Sequence, residues 1–178
     1  MADLTTLTST SFGYLIAYFP AGLVALLGAS FWVKSLKTIF MHFENSSADL
    51  GLFLLVLLLA ATVSLILLIP RWLLFERWLL HCKEPSPASF SKLGEAGRAS
   101  AYQVAVEQHY RYHQFYGGML FGSIVLFVGW YQHTEMTGPQ QLASIVGFAV
   151  LEFLLFLAAF DSLSRYFARG SSILDGVT

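Results

Sequence analysis

The feature that most constrains this chain is a set of four long stretches almost free of charge. Leu4 to Val33, Leu50 to Pro70 and Tyr112 to Thr134 hold no Asp, Glu, Lys or Arg, and Met136 to Phe160 holds one, Glu152. A backbone crosses a bilayer only if its polar groups are satisfied internally, and a helix that does so needs roughly 20 mostly apolar residues. The four runs meet that length, and none has the alternation of a barrel strand. Composition agrees: 56% of the 178 residues are hydrophobic and 12% are charged, against about 25% charged in a soluble domain. The sequence predicts an all-α, polytopic membrane protein with four transmembrane helices, over about 12–33, 50–69, 115–131 and 141–160, within one integral membrane domain spanning 1–178.

A short amphipathic, cytoplasmic helical segment is expected between helices 2 and 3, over about 71–111. Trp72, Phe75, Trp78, Leu79 and Cys82 form an apolar stripe there, so this piece either lies in the interface or continues the second span past Pro70. Glu84 to Ser89 reads as a turn, and the polar stretch from Ser91 to Arg111 is helix-compatible, with Lys92–Glu95 and Glu107–Arg111 at ion-pair spacing. The first span is read as a retained helix, because Asp3 precedes it and no Lys or Arg appears before Lys34. Pro20 removes a backbone donor inside that span and predicts a bend.

Orientation follows from the loops. Arg71, Arg77, Lys83, Lys92, Arg98 and Arg111 lie between the second and third spans, and none lies between His133 and Gln140. The excess of positive charge belongs on the cytoplasmic side, which predicts a multi-pass protein with both termini inside. Lys34 and Lys37 oppose this, since they fall on the outer side of the first span. Trp32, Trp72, Trp78, Trp130 and Tyr131 sit near span ends, where amphipathic rings prefer the headgroup level.

Few residues could carry chemistry. Glu152 sits in mid-span, where an ionised side chain costs on the order of 2.5–3.5 kcal/mol. It must face the bundle, a partner subunit or water, or stay protonated. Antiparallel packing of the last two spans would set it near Gly122 and Ser123, and Gly118 and Gly122 make a spacing that lets helices approach closely. His109 and His113 share a helix face but lack the Glu of a His-Glu-x-x-His metal motif. Asp161, Arg165 and Arg169 have the spacing of an ion pair followed by orientation charges. Glu152 and Asp161 point to opposite faces, so they form no dyad. The functional candidates are therefore Glu152, His109, His113, Asp161 and Arg165.

Phosphate-binding glycine motifs, nucleophile elbows and CxxC pairs are absent from the sequence, and Cys82 is the sole cysteine. A net charge of −1 gives no nucleic-acid footprint. No catalytic residue, metal or cofactor is expected. The reading is a small non-enzymatic membrane protein whose partners are the lipid bilayer and either further copies or a partner membrane subunit. It would be an accessory subunit or the protomer of a homo-oligomeric, pore-forming assembly. The alternative is a membrane-embedded redox or metal protein that uses His42, His81, His113 or His133 as haem or metal ligands.

Overall fold

The computed structural model describes residues 18–45, 50–79, 98–105 and 109–175, and every regular element among them is helical. In chain order these are α1 (Tyr18–Ala29), α2 (Lys34–Asn45), α3 (Leu50–Arg71), a π-helical continuation (Trp72–Leu79), α4 (Arg98–Ala105), α5 (Arg111–His133) and α6 (Gly138–Asp175). The all-α class read from the sequence is what the structure shows.

Among the described residues two helices are long and apolar enough to cross a membrane, Leu50–Leu79 and Gly138–Leu174. A third is added if α1 and the first part of α2, bent by 115°, are taken as one broken span. By length and composition the described residues thus supply two, or up to three, of the four expected spans. Two physical reasons account for the difference. The expected first span, 12–33, is interrupted: α1 stops at Ala29, and residues 12–17 lie outside the described part. The expected third span lies in α5, which has the length but is diluted by His113, Gln114, four glycines and Gln132.

The helices meet through small residues. A Cβ on Gly122 would lie 2.6 Å from the Ala21 carbonyl oxygen, and one on Gly118 would lie 3.0 Å from the Ala21 Cβ. Further along, a Cβ on Gly28 would lie 2.5 Å from the Leu126 backbone nitrogen. A Cβ on Gly129 would lie 2.6 Å from the Gly28 carbonyl oxygen. Residues 21 to 28 therefore run alongside 118 to 129 in the same direction, with the two backbones touching. On the other side of α1, Gly22 abuts the Ala60 carbonyl and the Ser64 amide of α3. Close backbone approach is how membrane helices gain dispersion energy when lipid is as apolar as leucine. The Gly118–Gly122 pair is thus occupied within the chain.

α6 packs antiparallel to α5. His113 meets Ala159, Ser123 meets Glu152, and the Phe127 and Phe148 rings stack at 3.9 Å. Phe75, Leu120, Ala159 and Leu163 form the buried apolar cluster that joins the π turn to both helices. The outer surfaces of α3 and α6 are apolar and exposed, as at Leu58, Leu65, Val146 and Phe153.

Three local readings change. The sharp bend near the first span falls between Ala29 and Lys34, and of the turn ahead of Pro20 only Tyr18 and Phe19 are among the described residues. The Trp72-to-Cys82 stripe divides: Phe75 is fully buried whereas Trp72, Trp78 and Leu79 are exposed. Pro70, which removes a backbone donor, lies two residues before the π register begins at Trp72. The last helix runs unbroken to Asp175, well beyond the expected limit of its span. Cys82, His81, Lys92, Glu95 and Glu107 lie outside the described residues.

Candidate functional site

The most polar interior point lies where α3, α5 and α6 converge, at the end of the apolar part of α3. Arg71 is only 3% exposed and His113 is completely buried. The π turn is what brings Arg71 and Glu76 together. On an α-helix, residues five apart point about 140° from one another, whereas the i to i+5 repeat of a π-helix stacks them. The Arg71 Nη1 atom lies 3.4 Å from Glu76 Oε1. Gly117 makes room for the arginine stem, since a Cβ there would sit 2.7 Å from the Arg71 Cγ. The guanidinium carbon lies 5.8 Å from the Tyr110 ring centroid, within cation–π range.

Glu76 Oε1 is the hub of this cluster. The Tyr110 hydroxyl donates to it at 3.4 Å, and His113 Nε2 stands 3.9 Å away. The other imidazole nitrogen of His113 is 2.9 Å from the Ala159 carbonyl oxygen. A carbonyl only accepts, so Nδ1 carries a proton. Arg71 Nε and Nη1 and His113 Nε2 are buried and make no hydrogen bond among the described residues. Phe75 and Tyr110 enclose the imidazole, with ring centroids 5.2 and 6.1 Å away. Tyr166 of α6 packs on Tyr110 at 5.1 Å, and its hydroxyl is 2.9 Å from that of Tyr102 on α4.

Glu152 belongs to a second, separate place. Ser123 Oγ lies 2.5 Å from Glu152 Oε1, 2.6 Å from the Met119 carbonyl and 3.1 Å from the Leu120 carbonyl. The hydroxyl has one proton to share among these three acceptors. Beside this pair an open, mostly apolar cavity of about 450 Å³ is lined by residues of α5 and α6, including Ser123, Phe127, Trp130, Gly147 and Phe148.

The remaining candidates lie at the rim. Arg165 Nε is 2.9 Å from Asp161 Oδ2 in an exposed pair, a geometry worth a few tenths of a kcal/mol on a helix surface. His109 feels Arg169, Arg165 and Asp161. Burial, reinforced by the two arginines, moves its imidazole below the ordinary histidine range. His109 and His113 therefore have different surroundings although they share a helix face. His133 Nδ1 is 2.9 Å from the Gly129 carbonyl at the other end of α5, and the Trp32 indole donates to Gln132 at 2.9 Å. Among the described residues no group of three or more His, Cys, Asp or Glu is placed to hold a metal ion.

Sequence reasoning singled out His113, counted Arg71 only among the positive charges that set orientation, and gave Glu76 no role. Their five-residue separation is invisible to α-helical periodicity. The available cue was Pro70 beside Arg71 at the end of an apolar run. Comparison with protein-family models, with curated proteins and with solved structures finds no match for this chain.

Proposed function

We propose that the chain is a small, non-enzymatic, multi-pass membrane protein that works as a subunit of an assembly, built either from its own copies or with a partner membrane protein. The observation that carries this reading is where the close packing falls. Glycine-to-backbone contacts close the α1–α3 and α1–α5 seams, leaving no room along them for a path through one protomer. The apolar flanks of α3 and α6 remain turned outward. A pore, if one forms, then lies between protomers.

Four crossings with both termini inside is the arrangement we favour. α5 lies along α6 from His113–Ala159 to Phe127–Phe148, and a helix packed lengthwise on a spanning helix shares its depth. α1 lies along α5 in the same way. The 115° bend then lays α2 close to the membrane plane. Leu36, Ile39 and Phe40 of α2 are half-buried, while Lys34 and Lys37 are exposed. That is the pattern of an interfacial helix, and it accounts for two lysines on the outer side.

The test is self-association in lipid nanodiscs. Single cysteines at Val150 or Leu154, in a Cys82→Ser background, should form cross-links between copies, and native mass measurement should give a fixed stoichiometry. Monomers at every protein-to-lipid ratio, with no stoichiometric partner after gentle purification, would refute the proposal.

A further inference from the structure

We propose that Glu76 and His113 hold one exchangeable proton between them, making the junction of α3, α5 and α6 a buried proton-binding site. This goes beyond the assembly reading and does not depend on it. The argument begins with His113 Nδ1, whose proton is committed to the Ala159 carbonyl at 2.9 Å. Nε2 is then the one ring atom free to gain or lose a proton. It is buried, makes no hydrogen bond among the described residues, and faces a carboxylate oxygen 3.9 Å away.

Without a proton in that space, the lone pair of Nε2 confronts a lone pair of Glu76 Oε1. That arrangement leaves a buried acceptor unsatisfied, a condition native interiors avoid. With a proton, on either Nε2 or Oε1, the two groups become donor and acceptor. Closing the gap by about 1 Å brings them to ordinary hydrogen-bond length. The proton is taken up from water and released to it, one N–H or O–H bond forming or breaking each time. A proton shared in this way belongs to the pair, and two groups that share one titrate together.

The groups facing the pair come from every element around it. Arg71 approaches from the end of α3 at 3.4 Å from Glu76. Tyr110 donates to the same oxygen from the segment entering α5. Tyr166 of α6 packs on Tyr110, and its hydroxyl contacts Tyr102 of α4, which is partly exposed. Arg71 keeps the carboxylate paired when the proton is absent. The tyrosines mark the side on which exchange with water occurs. Phe75 walls the imidazole, and Phe156 packs on Phe75, so the opposite side is apolar. Because Glu76 is on the π turn, His113 on α5 and its backbone acceptor on α6, proton occupancy changes the contact among three helices.

The experiment uses the full chain in lipid nanodiscs with nitrogen-15 histidine, the His113 signals being assigned by their loss in His113→Gln. On a pH titration, Nδ1 should stay protonated throughout while Nε2 switches once. An infrared carboxyl band assigned by Glu76→Gln should change at the same midpoint, and in Glu76→Gln the Nε2 midpoint should move by at least about one pH unit. An Nε2 signal constant across the range, a carboxyl midpoint that differs from the imidazole one, or a midpoint indifferent to Glu76→Gln would overturn the proposal. If Glu76→Gln does not fold, nitrogen and carboxyl titrations of the wild-type protein still decide, with the band assigned by glutamate labelling.

Discussion

Gly122 offers the sharpest test of how this molecule is held together. In Gly122→Ala the new methyl would sit 2.6 Å from the Ala21 carbonyl oxygen, 3.5 Å from its carbon and 3.7 Å from the Ala21 Cα. Ordinary contact begins near 3.4 Å, so α1 and α5 must part by about 0.8 Å, the difference between 3.4 and 2.6 Å. The atom in the way is backbone and cannot swing aside. Separation also loosens the Gly118, Gly28 and Gly129 contacts, which lie on the same seam. Overpacking of this kind costs about 1–3 kcal/mol. The gain in helix propensity from Gly to Ala, at most about 1 kcal/mol, shrinks where the unfolded state in detergent stays helical. We expect a net loss of about 1–2 kcal/mol.

Gly147→Ala is the matched control, because nothing lies within 4 Å of a Cβ there. It should be neutral or stabilising by up to about 1 kcal/mol. The assay is equilibrium unfolding of both variants in mixed micelles, followed by helical signal and by tryptophan emission. An identical substitution with opposite sign at two glycines supports the packed seam. Gly122→Ala as stable as the wild type, or Gly147→Ala the more damaging of the two, would refute the reasoning.

Other outcomes are expected. Glu152→Gln should fold and assemble almost normally, whereas Glu152→Leu should lose only about 0.6 kcal/mol, typical of an interhelical hydrogen bond in a membrane; a loss of several kcal/mol in the unfolding midpoint would contradict this. Because burial and two arginines depress the His109 imidazole, the folded state binds fewer protons than the unfolded state just below the ordinary histidine pKa of about 6.5. Stability should therefore fall as pH drops through that value toward the lower folded one, and His109→Gln should flatten this part of the melting-temperature profile; equal slopes in both proteins would refute it. Reporter fusions after His133 should read as external and those at the C-terminus as cytoplasmic, and a cytoplasmic signal at 133–140 would reverse the proposed orientation.

The cavity between α5 and α6 supplies a further comparison. Gly147→Leu directs a side chain into open space and should leave unfolding unchanged within about 0.5 kcal/mol, as surface substitutions do. A strong destabilisation would show that the two helices sit closer there than the structure has them.

What the sequence determined by itself was the class of element and the apolar length that lets a helix cross a membrane. A charge-free run of the Leu50-to-Pro70 kind is long enough to span lipid as a helix, and no tertiary knowledge is needed to see it. The opposed faces of Glu152 and Asp161 followed from the angle per residue alone. The tertiary structure decided everything that depends on register or on neighbours. Leu4 to Val33 has no charged residue to mark a break, yet α1 ends at Ala29 and the chain turns by 115°. Gly118 and Gly122 were legible as a close-packing surface, but only the fold shows that α1 occupies it. Arg71 and Glu76 lie on different faces of any α-helix drawn through them. A π turn beside Pro70 joins them, and His113 reaches the same carboxylate from another helix. Periodicity reports which residues share a face of a regular helix, and this cluster exists because one helix departs from regularity.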